Sequence, residues 1–278
     1  MSTAPVRLRD RIAVVTGGSR GVGKGAALGL AEAGATVYVT ARTVEPGGST
    51  YPGSLAETLA EMEHLGGRGV ALACDHRDDA AVRAAFERVL AEQGRIDILV
   101  NNVFALPDDL TLWSQASFWE QPLSMWDDQI DIGLRSHYVA SRLVAPSMIA
   151  RGSGLIVNIS SSGAQEYHMN VTYGVGKAGL DKLSHDMAHE LRPHGVAALS
   201  LWPGLVSTER IVAAMGSDLL ASLGHQTPLL TGRAIAALAA DPRVLEKSGR
   251  YWTVAELATE YGFTDVDGTV AEARRYLE

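Results

Sequence analysis

The chain has 278 residues, 46% hydrophobic and 20% charged, with a formal net charge of -8, as expected of an ordinary soluble globular protein with one large core. The scattered negative charge argues against non-specific affinity for nucleic acid or an anionic membrane surface. Cys74 is the only cysteine, so no internal disulfide can form, and no apolar run approaches bilayer length; a cytoplasmic location is expected.

Short apolar runs alternate with amphipathic stretches, which predicts βαβ units in a single α/β domain over 1–278: a Rossmann-type doubly wound parallel sheet flanked by helices. Residues 12–16 read as the first strand, and 21–33 as a helix ended by Gly34, a residue suited to the left-handed position after a helix. A strand at 36–40 leads through a Gly- and Pro-rich loop (45–53) to a helix at 55–65. Further strands are expected at 70–74, 96–100, 155–160 and 196–201. Their nearly unbroken apolarity predicts burial on both faces. Helices are expected at 80–91, 126–150 and 173–191. Two segments break the rhythm. Residues 103–125 carry Phe104, Trp113, Phe118 and Trp119, and 209–230 form a second long connection. Both follow strand ends on the side where such sheets bind ligands, and loops this long are usually functional. The segment 209–230 is expected to be a mobile lid.

After the first strand comes Thr16-Gly17-Gly18-Ser19-Arg20-Gly21-Val22-Gly23. Gly17 permits a tight turn, Gly21 lets the backbone approach a pyrophosphate, and Gly23 lets the helix pack on the strand. The helix N-terminus then offers unpaired N–H groups and a positive dipole end to phosphates. Strand, loop and helix in that order make this a dinucleotide-binding signature, where glycines alone would be weak evidence. At the end of the second strand, Thr40-Ala41-Arg42 lacks the carboxylate that would hold a ribose 2′-OH. Arg20 and Arg42 suit a 2′-phosphate, so NADP(H) is favoured over NAD(H).

Tyr173-Gly-Val-Gly-Lys177 opens a predicted helix, with phenol and ammonium on one face at i, i+4. A free tyrosine titrates near ~10, and a fixed cation beside it would bring that value toward the working range. The strand at 155–160 ends in Ser160-Ser161-Ser162. A serine there would hold and polarise a substrate oxygen while Tyr173 transfers the proton. Ser161 is the expected residue and Ser160 the one-residue alternative.

Together these residues resemble the short-chain dehydrogenase/reductase family from about residue 11 to 208. The resemblance implies hydride transfer to or from nicotinamide without a metal, between a small-molecule carbonyl compound and its alcohol. It implies that Asp75 meets the adenine amino group and that Asn101, of Asn101-Asn102, steadies the sheet beside the cofactor. Pro203-Gly204, Val206 and Thr208 would lie against the nicotinamide carboxamide, and Lys177 would also bond the nicotinamide ribose. A homodimer or homotetramer through the helices at 126–150 and 173–191 is likewise implied. The stretches 118–127 and 133–138 are similar to a subgroup associated with NADPH-dependent carbonyl reduction. Two positions depart from the family pattern. Asn-Asn-Ala-Gly becomes Asn101-Asn-Val-Phe104, and Gly133 replaces the helix asparagine that holds a relay water.

His76 has two readings, a contact to adenine or a surface-loop histidine. Glu166 and His168 either line the pocket or face solvent. Phe104, Trp113, Phe118, Trp119 and Trp126 could wall a pocket for a bulky apolar ketone or aldehyde, with Phe104 placed at the substrate; the alternative is that Trp119 and Trp126 anchor the connection to the core. His185 and His189 imitate a metal-binding helix but lack a third ligand, so no metal is expected. The remaining functional alternative is a dinucleotide-binding regulator or scaffold with little turnover.

Overall fold

A computed structural model describes residues 7–107 and 116–270; Trp113 of the aromatic connection lies outside them. Seven parallel strands form one sheet in the order β3-β2-β1-β4-β5-β6-β7. They are β1 (Ile12–Thr16), β2 (Thr36–Ala41), β3 (Arg68–Ala73), β4 (Ile98–Asn101), β5 (Gly154–Ile159), β6 (Val196–Trp202) and β7 (Tyr251–Thr253). Strands β1, β4 and β6 are buried along their whole length, as their largely apolar sequences require when helices cover both faces.

The helices are α1 (Gly21–Glu32), α2 (Leu55–His64), α3 (Asp79–Gln93), α4 (Leu123–Asp127), α5 (Ser136–Arg151), α6 (Val171–Leu191), α7 (Glu209–Met215), α8 (Ser217–Leu223), α9 (Pro228–Ala240), α10 (Val244–Lys247) and α11 (Val254–Tyr261). A π-helical stretch, Asp128–Arg135, joins α4 to α5. Two apolar clusters sandwich the sheet. One joins Leu30 of α1, Ile235 of α9 and Leu257 of α11 to Val15, Val100 and Val157. The other joins Phe86 of α3, Met148 of α5 and Ala188 of α6 to Val14, Leu99 and Ile156. Helices α1 and α9 cross in backbone contact, since a Cβ on Gly29 would stand 2.3 Å from the carbonyl carbon of Gly232.

The expected fold class holds, with four corrections. Segment 209–230 is not a long loop. Thr208 caps α7, its Oγ1 accepting from Ile211 N at 3.4 Å, and Gly216 and Gly224, both at positive φ, divide and end the helices. The helix expected at 126–150 begins at Leu123 and changes pitch through the π stretch. The third strand starts at Arg68, because its register with Thr36 extends the ladder beyond the apolar run. β7 is only three residues long, and its Tyr251 stacks on Trp202 at 3.9 Å between centroids.

Candidate active site

The strand order reverses between β1 and β4, where a crevice opens at the carboxyl ends of the strands. Asn102 closes its floor. Its Nδ2 donates to the carbonyls of Thr16 at 3.0 Å and Gly17 at 2.9 Å, while Thr16 Oγ1 accepts from Asn102 N and Val103 N. A Cβ on Gly23 would meet Gly17 O and Asn102 Nδ2, each at 2.3 Å, so only glycine fits there. Gly17 and Gly21 both adopt positive φ.

The N-terminus of α1 is uncapped by its own sequence: Arg20 makes no side-chain cap, and the first turn holds no acidic residue. Its orphan donor at Gly21 N is instead satisfied by Glu209 Oε2 at 2.8 Å, from the first turn of α7. A carboxylate seated at this point demonstrates that the helix end accepts an anion. A dinucleotide pyrophosphate fits the same donors. Arg20 reaches outward, Nη2 donating to Gly53 O at 2.8 Å and to Thr43 Oγ1, and Nη1 to Ser49 Oγ at 2.9 Å. Arg42 is exposed immediately after β2. Ser19 is buried within the turn, and Val22 packs partly against the core.

Asn101 is fully buried; its Nδ2 donates to Ser141 Oγ and Asn158 Oδ1, both at 2.9 Å. This ties β4 to β5 and α5. Asp75 follows β3, half-buried, and its Oδ1 accepts from Arg77 N. His76 is not a surface residue. Its ring is 3% exposed, shares a 2.8 Å hydrogen bond with Thr40 Oγ1, and burial pushes its pKa down to about 4.

Tyr173 lies in the first turn of α6, where Asn170 caps the helix by accepting from Tyr173 N at 2.8 Å. Ser161 follows β5 and shares a 2.8 Å hydrogen bond with the Tyr173 hydroxyl. Ser160 is engaged elsewhere, buried and donating to Lys177 O at 3.1 Å, so Ser161 alone faces the phenol. Lys177 Nζ donates to Ile159 O at 3.0 Å and stands 5.6 Å from the Tyr173 ring centroid. Burial brings the Lys177 pKa down to about 8. The Tyr173 phenol itself is raised by burial, which the Ser161 hydrogen bond only partly offsets. The net direction is therefore upward, opposite to the lowering expected from a neighbouring ammonium.

Phe104 and Gly133 explain each other. A Cβ on Gly133 would stand 2.8 Å from Phe104 Cδ2 and 3.0 Å from Cε2. The ring thus fills the volume a side chain at 133 would take. It also sits edge-on to Tyr173 at 5.9 Å and 4.9 Å beneath the Lys177 ammonium. Phe118 and Trp119 are 61% and 73% exposed, and Trp126 is 46% exposed. They do not anchor the connection; among the described residues of this stretch, Met125, 4% exposed, enters the core.

The turn after β6 lies against the glycine loop: a Cβ on Gly21 would meet Thr208 Cγ2 at 3.3 Å. Pro203 is half-buried, Gly204 N donates to Gln226 Oε1, and Val206 bridges to Gln226 in parallel. His168 shares a 3.0 Å hydrogen bond with Ser162 Oγ, and both it and Glu166 remain partly exposed. His185 is exposed and pairs with Asp186. Cys74 is buried, which pushes its thiol up to about 11. Sequence reasoning missed Glu209, Gln226 and His137. His137 is buried beside Val103 O at 2.9 Å, and burial pushes its pKa down to about 3. A histidine in an amphipathic helix gives no sequence signal of this kind, and Glu209 and Gln226 acquire meaning only through contacts distant in the chain.

The family model described as short chain dehydrogenase matches residues 11–215. The chain belongs to the short-chain dehydrogenase/reductase family, whose members are oxidoreductases that bind a nicotinamide dinucleotide. It is 44% identical over 273 residues to Dehydrogenase/reductase SDR family member 1 of Homo sapiens, covering 94% of this chain and 85% of that protein. It is 34% identical to the 2-dehydro-3-deoxy-D-gluconate 5-dehydrogenase of Escherichia coli over 72% of this chain and 74% of that one. Among solved structures, a metagenomic short-chain oxidoreductase in complex with NADP is 31% identical, with a TM-score of 0.71 over 88% of this chain and 96% of that chain. Among the described residues no helix is long and apolar enough to cross a membrane.

Proposed function

We propose that this protein is an NADP(H)-dependent carbonyl reductase/alcohol dehydrogenase with Tyr173 as its acid/base. The observation that carries the reading is the 2.8 Å hydrogen bond between Tyr173 OH and Ser161 Oγ, with the Lys177 ammonium 5.6 Å from the phenol ring. A bound nicotinamide would supply or accept the hydride. Gly17, Ser19, Gly21, Val22 and Gly23 would hold its pyrophosphate at α1, with Asp75 at the adenine and Pro203, Gly204, Val206 and Thr208 at the nicotinamide end. Arg20 and Arg42 would hold a 2′-phosphate, because the end of β2 offers guanidinium groups and no carboxylate.

Ser161 would orient the substrate oxygen, and the Tyr173 hydroxyl would donate to it as negative charge develops in reduction, or remove its proton in oxidation. Lys177, held by Ile159 O, would stabilise the phenolate form of Tyr173 when its proton has been given up. The Phe104 ring beside Tyr173 favours an apolar ketone or aldehyde. Exposed Phe118 and Trp119 just before α4, Leu123 at its start and Tyr138 on α5 support a homodimer or homotetramer.

The test joins NADPH titration to an absorbance assay on a panel of apolar and charged carbonyl compounds, for wild type and Tyr173→Phe. The reading predicts NADPH binding by both proteins and turnover of apolar carbonyls by wild type alone. Binding without Tyr173-dependent turnover would instead favour a dinucleotide-binding regulator.

A further inference from the structure

Three guanidinium groups from three separate elements gather around the loop that follows β2. Arg42 stands at its start, and Arg20 of the glycine loop bonds Thr43, Ser49 and Gly53 along it. Arg210, in the first turn of α7, places its guanidinium 4.2 Å from the ring centroid of Tyr51 in the same loop. Two of the donors are stranded. Arg20 Nε and Arg210 Nη1 are both shut away from water with no hydrogen-bond partner among the described residues. Burial lowers the Arg20 pKa, and the charges of Arg210 and Arg42 press it the same way, opposed by Glu209 and Glu57. Like charges converging with buried, unmet N–H groups are costly alone and favourable around an anion, because a dianion satisfies the donors and cancels the repulsion together.

The chain also separates two anionic positions by one residue. Glu209 sits on Gly21 N at the end of α1, whereas Arg210 turns toward Tyr51 and the loop after β2. The pyrophosphate belongs to the first position, and a phosphate monoester on the adenosine ribose to the second. We infer that Arg210 is the third member, with Arg20 and Arg42, of a guanidinium clamp for the 2′-phosphate of the dinucleotide, so that the α7–α8 segment closes in response to that phosphate. This rests on the NADP(H) reading above.

The probes are adenosine 2′,5′-bisphosphate and 5′-AMP, which differ only in the 2′-phosphate, titrated calorimetrically into wild type, Arg210→Ala and Arg210→Lys. Wild type is expected to prefer the bisphosphate at least tenfold. Arg210→Ala should cut that preference about five- to tenfold while leaving 5′-AMP affinity unchanged, and Arg210→Lys should restore part of it. Hydrogen exchange across residues 209–223 should slow with the bisphosphate and not with 5′-AMP. An Arg210→Ala protein that keeps the wild-type preference, or weakens for both probes equally, overturns the clamp. Equal protection by the two probes overturns the coupling to closure. A wild type that binds both probes alike overturns the NADP(H) reading itself.

Discussion

Placing a methyl group on Gly133 tests whether the Phe104 ring truly occupies that site. In Gly133→Ala the new carbon would stand 2.8 Å and 3.0 Å from two ring carbons, so the ring must retreat by several tenths of an ångström. Tyr173 on one side and the Lys177 ammonium on another limit the retreat. Overpacking of this kind costs about 1–3 kcal/mol, offset by about 0.5–1 kcal/mol because alanine is the better helix former. A net loss of about 1 kcal/mol is expected. Phe104→Ala removes a half-buried ring and should cost about 1.5–3 kcal/mol, less than a fully buried phenylalanine. In the double variant the clash disappears while the helix gain remains. It should therefore be more stable than the sum of the singles by about 1–2 kcal/mol. Urea unfolding of the four proteins, compared at constant m-value, measures that coupling. Additivity within about 0.5 kcal/mol would show that ring and glycine do not share a volume.

Acid should destabilise the fold through two buried histidines. His76 and His137 stay neutral down to about 4 and about 3 in the folded protein, whereas unfolded histidine takes up its proton near ~6.5. The unfolded state thus binds more protons below ~6.5, and stability falls toward about pH 4 by up to ~1.4 kcal/mol per pH unit for each histidine. Urea midpoints at pH 7, 6 and 5 should decline and His137→Gln should flatten the decline; a level wild-type profile contradicts this. Lys177 carries the opposite window. Its folded pKa of about 8 lies below the ordinary ~10.5, so its burden on stability is full below about 8 and lifts as pH rises to ~10.5. Lys177→Met should gain about 1–3 kcal/mol at pH 7 while losing turnover, the gain fading above pH 10; a lower melting temperature at pH 7 would refute it. Glu209→Ala frees Gly21 N and should tighten dinucleotide binding about 2–5-fold, the scale of a charge at a helix N-terminus; unchanged or weaker affinity in a fluorescence titration would count against that competition.

The parts of the fold written as local pattern were readable in the sequence. The largely apolar runs of β1, β4 and β6 announce strands buried on both faces, and Gly17, Gly21 and Gly23 announce a turn that only small residues allow. Tyr173 and Lys177 share a helix face, so their pairing needed nothing beyond spacing. What escaped depends on contacts across the chain. β7 is three residues held by Trp202 and an edge ladder, and α9 packs on α1 through Gly25, Gly29 and Gly232, whose role shows only when both partners are placed. The choice of Ser161 over Ser160 turned on one residue of register at the end of β5, where one hydroxyl points to Tyr173 and the other to the backbone of Lys177. The surface-loop reading of His76 failed for the same reason: a polar residue beside Asp75 looks exposed until its hydrogen bond to Thr40 is seen.

The central claim is a proton handed over by Tyr173 as hydride moves between nicotinamide and carbon. Incubation with NADPH deuterated at both C4 positions and an apolar ketone, followed by mass spectrometry of the alcohol, reads that event at the bond formed. Wild type should yield product carrying one deuterium on the former carbonyl carbon, and Tyr173→Phe should yield none above background while still binding the cofactor. Equal deuterium transfer by the two proteins, or none by wild type with any ketone it binds, would contradict the account.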